Sequence, residues 1–365
     1  MRNKIFLTVL LFCVLAVTLT HAAYNIAYSV EKIWDNGTYS SFTSLIKYKD
    51  RYYCTFREGE GHIFDKKGNA EGKIRVICSK DGKKWESVLL LSEDSVDLRD
   101  PKLSETPDGR LMVCYGCSVY RNRVLKKRYP FVVFSNDGKN FGKRQRLNLE
   151  QQTEHQDDWL WRVTWHEGIG YGVNYYTHKN GVKGLWLMTT TDGVNYKKHC
   201  ELFVPNFPNE TTIRFLSDGR MTMIVRRDAA DRKGWWGISA APYKDFTFTP
   251  MDFQLGGPEY MVLDDHHAIA ATRSYFTNRY KTIVLTGDPQ TGKFDETMVL
   301  PSGGDTSYAG IIKVGDEIWV SYYSCHDSTK PQSNKKSKHK KQEAQQKTEP
   351  HASIYLAKIP LSILE

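Results

Sequence analysis

Residues 210–226, with the sequence ETTIRFLSDGRMTMIVR, contain two strand-like segments joined by a tight polar turn. Polar and apolar residues alternate in the first segment, which is typical of a β-strand with one buried face. The turn contains Asp218-Gly219, a preferred pair in tight turns. A third strand-like segment, GWWGISAA, begins at Gly234. We therefore expect residues 210–241 to fold as consecutive antiparallel strands.

This unit of three segments recurs six times, and a fourth strand-like segment ends most copies. The first segments start at Phe42, Arg99, Trp161, Glu210, Gly257 and Thr306. The starts are separated by 57, 62, 49, 47 and 49 residues. Helical periodicity is almost absent, and 13% of the residues are aromatic. Four strands per unit at a spacing of about 50 residues match the blades of a β-propeller. The predicted fold class is all-β, a six-bladed β-propeller.

Three units carry a hairpin of one composition between their third and fourth strands. These hairpins are residues 79–85 (SKDGKKW), 135–141 (SNDGKNF) and 190–196 (TTDGVNY). Their glycine permits the positive φ of a tight hairpin, and the Ser or Thr hydroxyl and the Asp carboxylate can accept hydrogen bonds from the turn amides. We interpret these hairpins as structural rather than catalytic.

The N-terminal region is expected to differ from the propeller. Residues 1–22 have a basic start, an apolar run too short to span a membrane and small residues for cleavage, which predicts a signal peptide and an exported protein. Residues 23–365 then form a single propeller domain without a membrane span. Residues 24–35 are expected to supply the outer strand of the sixth blade, which closes the ring.

The formal net charge of +9 is concentrated outside the predicted blades. The signal region carries two positive charges, and residues 328–350 carry seven lysines against two glutamates, which leaves a net +2 for the rest. This balance does not indicate nucleic acid as a partner. The Lys-rich stretch is expected to be a loop insertion in the last blade, either solvated and disordered or in contact with a polyanion.

Neither a metal nor a cofactor is indicated. Cys114 and Cys117 form a CxxC motif, but they lie in a strand-like segment, where residues three apart face opposite sides. No second CxxC or histidine pair accompanies them, as a zinc site would require.

Three arginines, Arg57, Arg226 and Arg273, end the second strand of their units. Propeller symmetry would place equivalent positions at similar height around the central channel. Guanidinium groups side by side repel one another unless an anion joins them, and a carboxylate can accept their N–H bonds in bidentate geometry. The repeat therefore predicts a carboxylate clamp, with three separate salt bridges at the blade ends as the alternative.

These features resemble the sialidase (neuraminidase) superfamily along the whole of residues 23–365, and most closely exported bacterial sialidase-like proteins. The three hairpins resemble the Asp boxes of that family. The other matching features are Phe56-Arg57-Glu58 in place of the family's Phe-Arg-Ile-Pro, Arg99-Asp100-Pro101, the pair Glu210 and Arg226, Arg273 as third arginine, and Tyr308 in Asp305-Thr306-Ser307-Tyr308. The resemblance implies a retaining glycosidase for sialic acid or a related acidic sugar.

The resemblance also implies catalytic roles. Tyr308 would be the nucleophile, as sialidases use tyrosine, and Glu210 would be its base because a phenol with a pKa of about 10 is a weak nucleophile by itself. The general acid of the family is an aspartate in the loop after the first-blade arginine. Asp65 is the nearest match, although it could instead only form a turn, and His62 is the second candidate because its pKa suits neutral pH.

Further candidates for substrate binding lie near the predicted channel. Asp100 is expected at the mouth of the channel, where it contacts a substrate substituent or pairs with Arg99 or Lys102. Arg99 itself is a candidate for binding substrate. A third-blade group forms either a sugar-stacking wall or inter-blade packing; its members are Trp161, Arg162, Trp165, His166 and Tyr175.

The predicted function is an exo-acting glycoside hydrolase that removes a terminal carboxylate-bearing sugar from an acidic glycan. One alternative is a uronate-specific polysaccharide lyase that uses the same clamp with a tyrosine or histidine acid/base. The other is a carbohydrate-binding propeller without catalysis. The fold alone does not distinguish the three.

Overall fold

The computed structural model describes residues 28–150, 155–178, 180–275, 280–328 and 351–365. The predicted signal peptide at residues 1–22 lies outside these ranges, and so do residues 329–350 of the Lys-rich segment. The part of the chain that the structure describes has no helix that is long and apolar enough to cross a membrane.

Strands dominate the described ranges, and β1 (Ser29–Trp34) is the first of them. Blades 1 to 3 follow in chain order. Blade 1 contains β2 (Tyr39–Tyr48), β3 (Arg51–Gly59), β4 (Lys73–Ser79) and β5 (Glu86–Leu91); blade 2 contains β6 (Asp97–Glu105), β7 (Leu111–Arg121), β8 (Val124–Ser135) and β9 (Gln145–Arg146). Blade 3 contains β10 (Asn148–Leu149), β11 (His155–His166), β12 (Ile169–His178), β13 (Lys183–Thr190) and β14 (Asn195–Leu202).

Blades 4 to 6 complete the ring. Blade 4 contains β15 (Pro208–Phe215), β16 (Met221–Arg227), β17 (Lys233–Ser239) and β18 (Thr247–Gln254); blade 5 contains β19 (Glu259–Val262), β20 (Ala268–Ser274), β21 (Lys281–Asp288) and β22 (Lys293–Val299). Blade 6 contains β23 (Thr306–Val314), β24 (Glu317–Ser324) and β25 (Ser353–Pro360), with β1 as its fourth strand, and a short 3₁₀ helix at Leu361–Ile363 follows. The prediction of an all-β, six-bladed propeller is confirmed.

Each blade is an antiparallel meander, and the first strands of neighbouring blades contact one another around the ring. In blade 3, the short β10 additionally pairs in parallel with β14. In blade 6, β1 pairs antiparallel with β25, so the N-terminal strand closes the ring as predicted. Trp34 of β1 also donates a 2.8 Å hydrogen bond to Glu58 of blade 1.

The hydrophobic core lies between the blades. Six apolar clusters fill the six junctions between neighbouring sheets. At the junction of blades 5 and 6, for example, Ile269 and Val284 pack with Ile311 and Val320. Because both faces of each blade are covered by a neighbour, apolar residues recur on both faces of the middle strands.

The hairpin at residues 79–85 has the structural role expected of it. The Ser79 hydroxyl accepts a 2.9 Å bond from the amide of Gly82, and the Asp81 carboxylate accepts from two further turn amides. Gly82 has a φ of +68°, and a Cβ there would lie 2.2 Å from the ring of Trp319 in blade 6. The turn therefore fixes the hairpin and seats it against the preceding blade.

Five of the six first strands share an irregularity near their start. At this point two residues of the first strand face one residue of the second strand, which is the geometry of a β-bulge. The doubled residues are Phe42-Thr43, Asp100-Pro101, Trp161-Arg162, Asn209-Glu210 and Tyr308-Ala309. Since a bulge redirects side chains at the rim of a sheet, the repeat gathers these five positions at one end of the channel.

Candidate active site

Tyr308 and Glu210 form the centre of the site. The Tyr308 hydroxyl donates a hydrogen bond of 2.8 Å to Oε1 of Glu210. Arg226 Nη1 lies 2.8 Å from the same oxygen, and the Gly257 amide donates to Oε2 at 3.0 Å. The structure thus brings the predicted nucleophile, its predicted base and one predicted arginine into direct contact.

The ring of Tyr308 is held from several sides. Phe42 and Trp161 meet it edge-on, with ring centroids 4.9 and 6.0 Å away. The Arg273 guanidinium lies over the ring, 5.3 Å from its centroid. A Cβ at Gly257 would lie 2.4 Å from Tyr308 Cγ, so only glycine leaves room for the ring. Tyr308 itself has a φ of +51° in the bulge of β23, a conformation that packing on every side can impose.

Burial controls the acid–base properties of the central pair. It raises the pKa of Tyr308 well above its ordinary value, and the adjacent Glu210 carboxylate adds to the rise. Burial also raises the pKa of Glu210, while the charge of Arg226 opposes that rise. Tyr308 is therefore a neutral phenol beside a carboxylate that is a stronger base than an exposed one.

A second group is organised around Asp305. One carboxylate oxygen of Asp305 accepts from Arg273 Nη2 and from the Tyr323 hydroxyl, each at 2.8 Å. The other lies 2.6 Å from Nδ1 of His62 and also accepts from the Tyr39 hydroxyl. Burial raises the pKa of Asp305, but the hydrogen bond from His62 and the charge of Arg273 outweigh it and leave the pKa well below its ordinary value.

His62 is linked to the site by Phe42, whose ring packs against both His62 and Tyr308. The imidazole meets the Phe42 ring edge-on at 5.2 Å, and Phe42 in turn contacts Tyr308. The His62 side chain is 42% exposed, whereas Tyr308 is 9% exposed. With Nδ1 held by Asp305, Nε2 is the ring nitrogen left to exchange a proton with a bound molecule.

Arg57 does not belong to this group, which corrects the prediction of a clamp made by Arg57, Arg226 and Arg273. Its side chain is 1% exposed. Nε donates to Asp97 at 2.7 Å, and the remaining nitrogens donate to the backbone carbonyls of Gly61 and Ile63. A guanidinium that is buried and fully bonded cannot bind substrate.

The strand register explains the correction. Arg57 pairs with Ser41, the residue before the bulge of blade 1, whereas in blade 4 the residue paired before the bulge is Arg227. Arg226 lies opposite the bulge itself and points to Glu210 of its own blade. Arg226 is therefore offset by one residue from the position equivalent to Arg57, which Arg227 occupies in blade 4. Because side chains alternate between the two faces of a strand, this offset places Arg226 on the opposite face from Arg57.

Arg57 and Arg273 do share a structural role between blades. Each pairs with an aspartate three residues before the bulge of the next blade: Arg57 with Asp97, and Arg273 with Asp305. The first pair is sealed in the core, while Asp305 stays partly exposed and also binds His62.

Asp65 is used within its own loop. Its carboxylate accepts from the backbone and the side-chain amide of Asn69, at 2.7 and 2.9 Å. Slight burial raises the pKa of Asp65, but these bonds outweigh it and leave the pKa below its ordinary value. The structure therefore favours the alternative reading of Asp65 as a turn residue, since a general acid needs a raised pKa.

Arg99 and Asp100 lie on the blade 2 side of the site. The Arg99 guanidinium stacks on Phe42 at 4.9 Å and approaches Asp97 at 3.4 Å and Asp100 at 3.7 Å. Asp100 has a φ of +52° in the bulge of β6. Its buried Oδ1 accepts no hydrogen bond from any described residue, so it is available to a ligand hydroxyl.

The third-blade residues divide between the two roles that the sequence left open. Trp161 borders Tyr308, whereas His166 stacks on Phe215 of blade 4 with ring centroids 3.9 Å apart. Trp165 packs in the core between blades 2 and 3. Arg162 forms a salt bridge with Glu259 of blade 5. Trp161 thus contacts the site, and Tyr175 packs against Trp159 with ring centroids 6.5 Å apart, beside the cluster that contains Trp161 and Tyr308.

Lys102 is a charged neighbour of the site whose burial the sequence did not predict. It is 2% exposed, and its ammonium lies over the ring of Trp161, 4.4 Å from the centroid. Among the described residues Lys102 forms no salt bridge, so of the two alternative partners of Asp100 it is Arg99 that lies within salt-bridge distance. Burial lowers the pKa of Lys102 to about 8, and the nearby Arg162 adds to this effect.

Comparison with known proteins gives the fold. No protein-family model and no curated protein matches this chain. A solved protein of unknown function from Dyadobacter fermentans DSM 18053 is similar with a TM-score of 0.71 and 17% identity, covering 91% of this chain and 99% of that one.

Two structures with a named activity are also similar. A Trypanosoma rangeli sialidase in complex with sialic acid has a TM-score of 0.65 and 12% identity, covering 93% of this chain and 59% of its own. Zg3597, a family 117 glycoside hydrolase from the marine bacterium Zobellia galactanivorans, has a TM-score of 0.52 and 10% identity, covering 93% of this chain and 91% of its own. This chain therefore spans less than two thirds of that sialidase, and the similarity shows a sialidase-like propeller fold.

Proposed function

We propose that this protein is a retaining exo-glycosidase that removes a terminal carboxylate-bearing sugar, with Tyr308 as its nucleophile. The observation that carries the proposal is the 2.8 Å hydrogen bond from the Tyr308 hydroxyl to Glu210, with Arg226 on the same carboxylate oxygen. The fold similarity to a sialidase in complex with sialic acid supports the sugar class.

The chemistry follows from this pair. Tyr308 Oη bonds to the anomeric carbon as the glycosidic C–O bond breaks, and the phenol proton passes to Glu210. A neutral attacking group suits a sugar whose anomeric carbon bears a carboxylate, because charge repulsion is avoided. Water then releases the sugar from Tyr308, and Glu210 returns the proton.

His62 is the general acid in this proposal. The Asp305 carboxylate binds Nδ1 of its imidazole, and the Phe42 ring packs against both the imidazole and the Tyr308 ring. His62 gives a proton to the leaving oxygen in the first step and takes one from water in the second, as microscopic reversibility requires. Asp65 is not assigned this role because its carboxylate is bound by Asn69.

The positive charge around Tyr308 comes from Arg99, Arg226 and Arg273. Burial raises the pKa of Tyr308, and the charges of Arg226 and Arg273 oppose that rise, as expected of guanidinium groups near the phenol oxygen. We place the sugar carboxylate against this side and a sugar hydroxyl against the unbonded Oδ1 of Asp100.

The test is hydrolysis of a fluorogenic sialoside and of a panel of acidic oligosaccharides. We expect Tyr308→Phe to lose release of the acidic sugar, and Glu210→Gln to lower kcat by roughly 100-fold or more. Tyr322→Phe is the matched control, because Tyr322 is a buried tyrosine of the same blade whose hydroxyl donates to the Pro301 carbonyl. Full activity of Tyr308→Phe would refute the proposal.

The pH dependence provides an independent check. Glu210 must be deprotonated to accept the phenol proton, and burial raises its pKa. Activity should therefore fall as the pH drops through a value above that of an ordinary glutamate, and Glu210→Gln should lack this acidic limb. An acidic limb that survives in Glu210→Gln would assign it to another group.

A uronate lyase is the second candidate, and the His62–Asp305 pair favours it. A histidine held by a carboxylate can remove the proton beside a uronate carboxylate, while Tyr308 protonates the leaving oxygen. This reaction yields an unsaturated product that absorbs in the near ultraviolet, whereas hydrolysis does not. A binding propeller would form neither product, and the predicted export would place all three activities outside the cytoplasm.

A further inference from the structure

A strongly basic hairpin lies at the same end of the propeller as the candidate site. Residues 121–128, RNRVLKKR, span the end of β7, a two-residue turn and the start of β8, and five of these eight residues are Arg or Lys, with no Asp or Glu among them. The loop that carries His62 also joins a second strand to a third strand, in blade 1. Because successive strands alternate in direction, both connections lie at the end where the bulges lie.

The hairpin displays its cations to solvent. Asn122 and Arg123 have φ values of +52° and +62°, as in a tight two-residue turn. The register shifts between Val119 and Tyr120, which leaves Lys126 unpaired in the ladder. Since the bulge interrupts the alternation of faces, the consecutive Lys126 and Lys127 are both exposed.

These charges are not balanced within the protein. Arg123, Lys126 and Lys127 form no salt bridge with any residue of the described ranges, and Arg128 is 3.7 Å from Asp157. Outside the predicted signal peptide and the Lys-rich segment, the chain carries a net charge of only about +2. The hairpin is therefore a local concentration of positive charge on a nearly balanced body, as expected of a surface that attracts an anion.

A cavity of ≈ 630 Å³ adjoins the hairpin and reaches His62. Phe64 and Arg123 line it, and the Arg123 guanidinium stacks on the Phe64 ring at 5.2 Å. The Tyr120 ring meets Phe64 edge-on at 5.2 Å. Lys66 adds a further cation to the lining, and the acidic groups there are Glu60 and Asp65, of which the second is bound by Asn69. The volume falls within the range of about 300–1,000 Å³ that is typical of ligand sites.

The cavity combines two features that an acidic sugar chain needs. Aromatic rings such as Phe64 offer apolar faces against which the C–H face of a sugar ring can pack. Unpaired guanidinium and ammonium groups bind sulfate or carboxylate oxygens through charge-assisted hydrogen bonds. His62 at one edge of the cavity is the proposed donor to the leaving oxygen, so the leaving group lies on this side of Tyr308.

We propose that residues 121–128 and the adjoining cavity form a leaving-group subsite for a polyanionic glycan, whose sugars carry sulfate or carboxylate groups. Only the assignment to the leaving group rests on the proposed function; binding of the acidic glycan follows from the charge and shape of the surface itself.

The test compares two triple variants by isothermal titration calorimetry at low and moderate salt. Arg123→Gln, Lys126→Gln and Lys127→Gln are combined in the first, and Lys80→Gln, Lys83→Gln and Lys84→Gln in the second. The control removes the same charge from exposed lysines of the hairpin at the opposite end of blade 1. The probes are a heparin-derived hexasaccharide, an oligogalacturonate, neutral maltohexaose and a short single-stranded DNA.

We expect the unmodified chain and the control to bind at least one acidic oligosaccharide and not maltohexaose. The hairpin variant should bind it roughly 10-fold more weakly, with a smaller dependence on salt. Preference for the sulfated or for the carboxylated probe identifies the acidic group, and either supports the proposal. Equal affinity in the two variants would overturn it, and so would DNA binding as tight as that of both glycans.

The proposed subsite and the proposed function can each be refuted without the other. Tyr308→Phe should bind the acidic oligosaccharide as the unmodified chain does, since Tyr308 lies outside the hairpin. If Tyr308→Phe still hydrolyses substrate while the hairpin variant loses affinity, the proposed mechanism fails and the subsite stands. If Tyr308→Phe is inactive and both triple variants bind equally, the mechanism stands and the subsite fails.

Discussion

Buried charges dominate the site at the scale of single residues. Glu210 and Arg226 bind each other directly, whereas Lys102 faces an aromatic ring and forms no direct salt bridge within the described ranges. A buried cation without a partner destabilises a fold, and proteins retain such groups mainly where they serve a function. The negative charges of Asp100 and Glu210 oppose the effect of burial on the pKa of Lys102, which connects this residue to the candidate site.

Replacing Lys102 by methionine should stabilise the protein by about 1–2 kcal/mol at neutral pH, because methionine fills the same space without a charge. Burial lowers the pKa of Lys102 to about 8 from its ordinary value of 10.5, so the charged form is disfavoured in the folded state. The destabilisation caused by the charged Lys102 has its full size below about pH 8 and decreases as the pH rises towards 10.5, above which the lysine is neutral in both the folded and the unfolded state. Thermal unfolding from pH 7 to 10 should show the gain of Lys102→Met shrinking over this range.

The control for this change is Lys47→Met, since Lys47 is an exposed lysine on the first strand of blade 1. It should leave the free energy of unfolding nearly unchanged at every pH. If Lys102→Met instead lowered the stability at pH 7, the ammonium would have a stabilising partner and the interpretation of Lys102 would be wrong.

At the scale of elements, the bulge repeated in five first strands does most to build the site. It places Asp100, Trp161 and Tyr308 at the first bulge position of three blades and Glu210 at the second bulge position of a fourth, and all four lie at one end of the channel. Blade 5 contributes Gly257 there, with a φ of +63°, and its missing side chain leaves the space that the Tyr308 ring occupies.

Gly257→Ala should therefore damage the site more than the fold. The added Cβ would lie 2.4 Å from Tyr308 Cγ and would displace the ring, and misplacement by about 1 Å can cost roughly 100-fold in rate. We also expect a loss of about 3 kcal/mol in unfolding free energy, from the positive φ together with the overlap. Hydrolysis assays and denaturant unfolding measure the two effects.

Gly315→Ala separates these contributions. Gly315 has a φ of +58°, but a Cβ there meets no atom within 4 Å. It should lose only about 1 kcal/mol and keep full activity. Equal effects of the two substitutions on activity would mean that the ring of Tyr308 does not need the space at Gly257.

At the scale of the whole molecule, the N-terminal strand β1 closes the propeller ring because it completes blade 6, the blade formed by the C-terminal strands. Ile33 is buried in the junction of blades 6 and 1, and Trp34 packs against Phe56 and binds Glu58 across the same junction. The junction also contains Phe42 and Tyr308, so the closure and the candidate site share one core.

Removing β1 should therefore weaken the fold and the site together. A chain that starts at Asp35 loses the pairing with β25 and the burial of Ile33, and we expect its unfolding free energy to drop by about 3–5 kcal/mol. The exposed edge of β25 should also promote association, visible by size-exclusion chromatography. A chain that starts at Tyr28 keeps β1 and is the control; equal denaturation midpoints for the two would show that β1 is dispensable.

Much of the architecture could be predicted from the sequence because strand alternation and turn residues are local. The starts of the six units, the hairpin at residues 79–85 and the role of β1 all follow from patterns within a few dozen residues. The pairing of Glu210 with Arg226 could be predicted as well, because both lie in one unit, on strands joined by a single turn.

The positions of Arg57 and Asp65 could not be predicted in the same way. Arg57 ends its strand as Arg226 does, but pairing across the sheet shifts it by one residue, and that shift buries it against Asp97. Asp65 has the position expected of an acid, yet Asn69 four residues later binds its carboxylate. Asp305 lies within the motif identified from the sequence, but its contact with His62 joins blades 6 and 1, which are far apart along the chain and neighbours only in the closed ring.

The sequence by itself determined the number of blades, the strand order and the residue types available for chemistry, since these depend on local periodicity. Only the tertiary structure decided which of those residues meet. A bulge changes the direction of a side chain by adding one residue to a strand, and spacing along the chain does not reveal where that residue is added. For this reason Tyr308, Glu210 and Arg226 form the centre, His62 with Asp305 stands beside it, and Arg57 stabilises the wall between two blades.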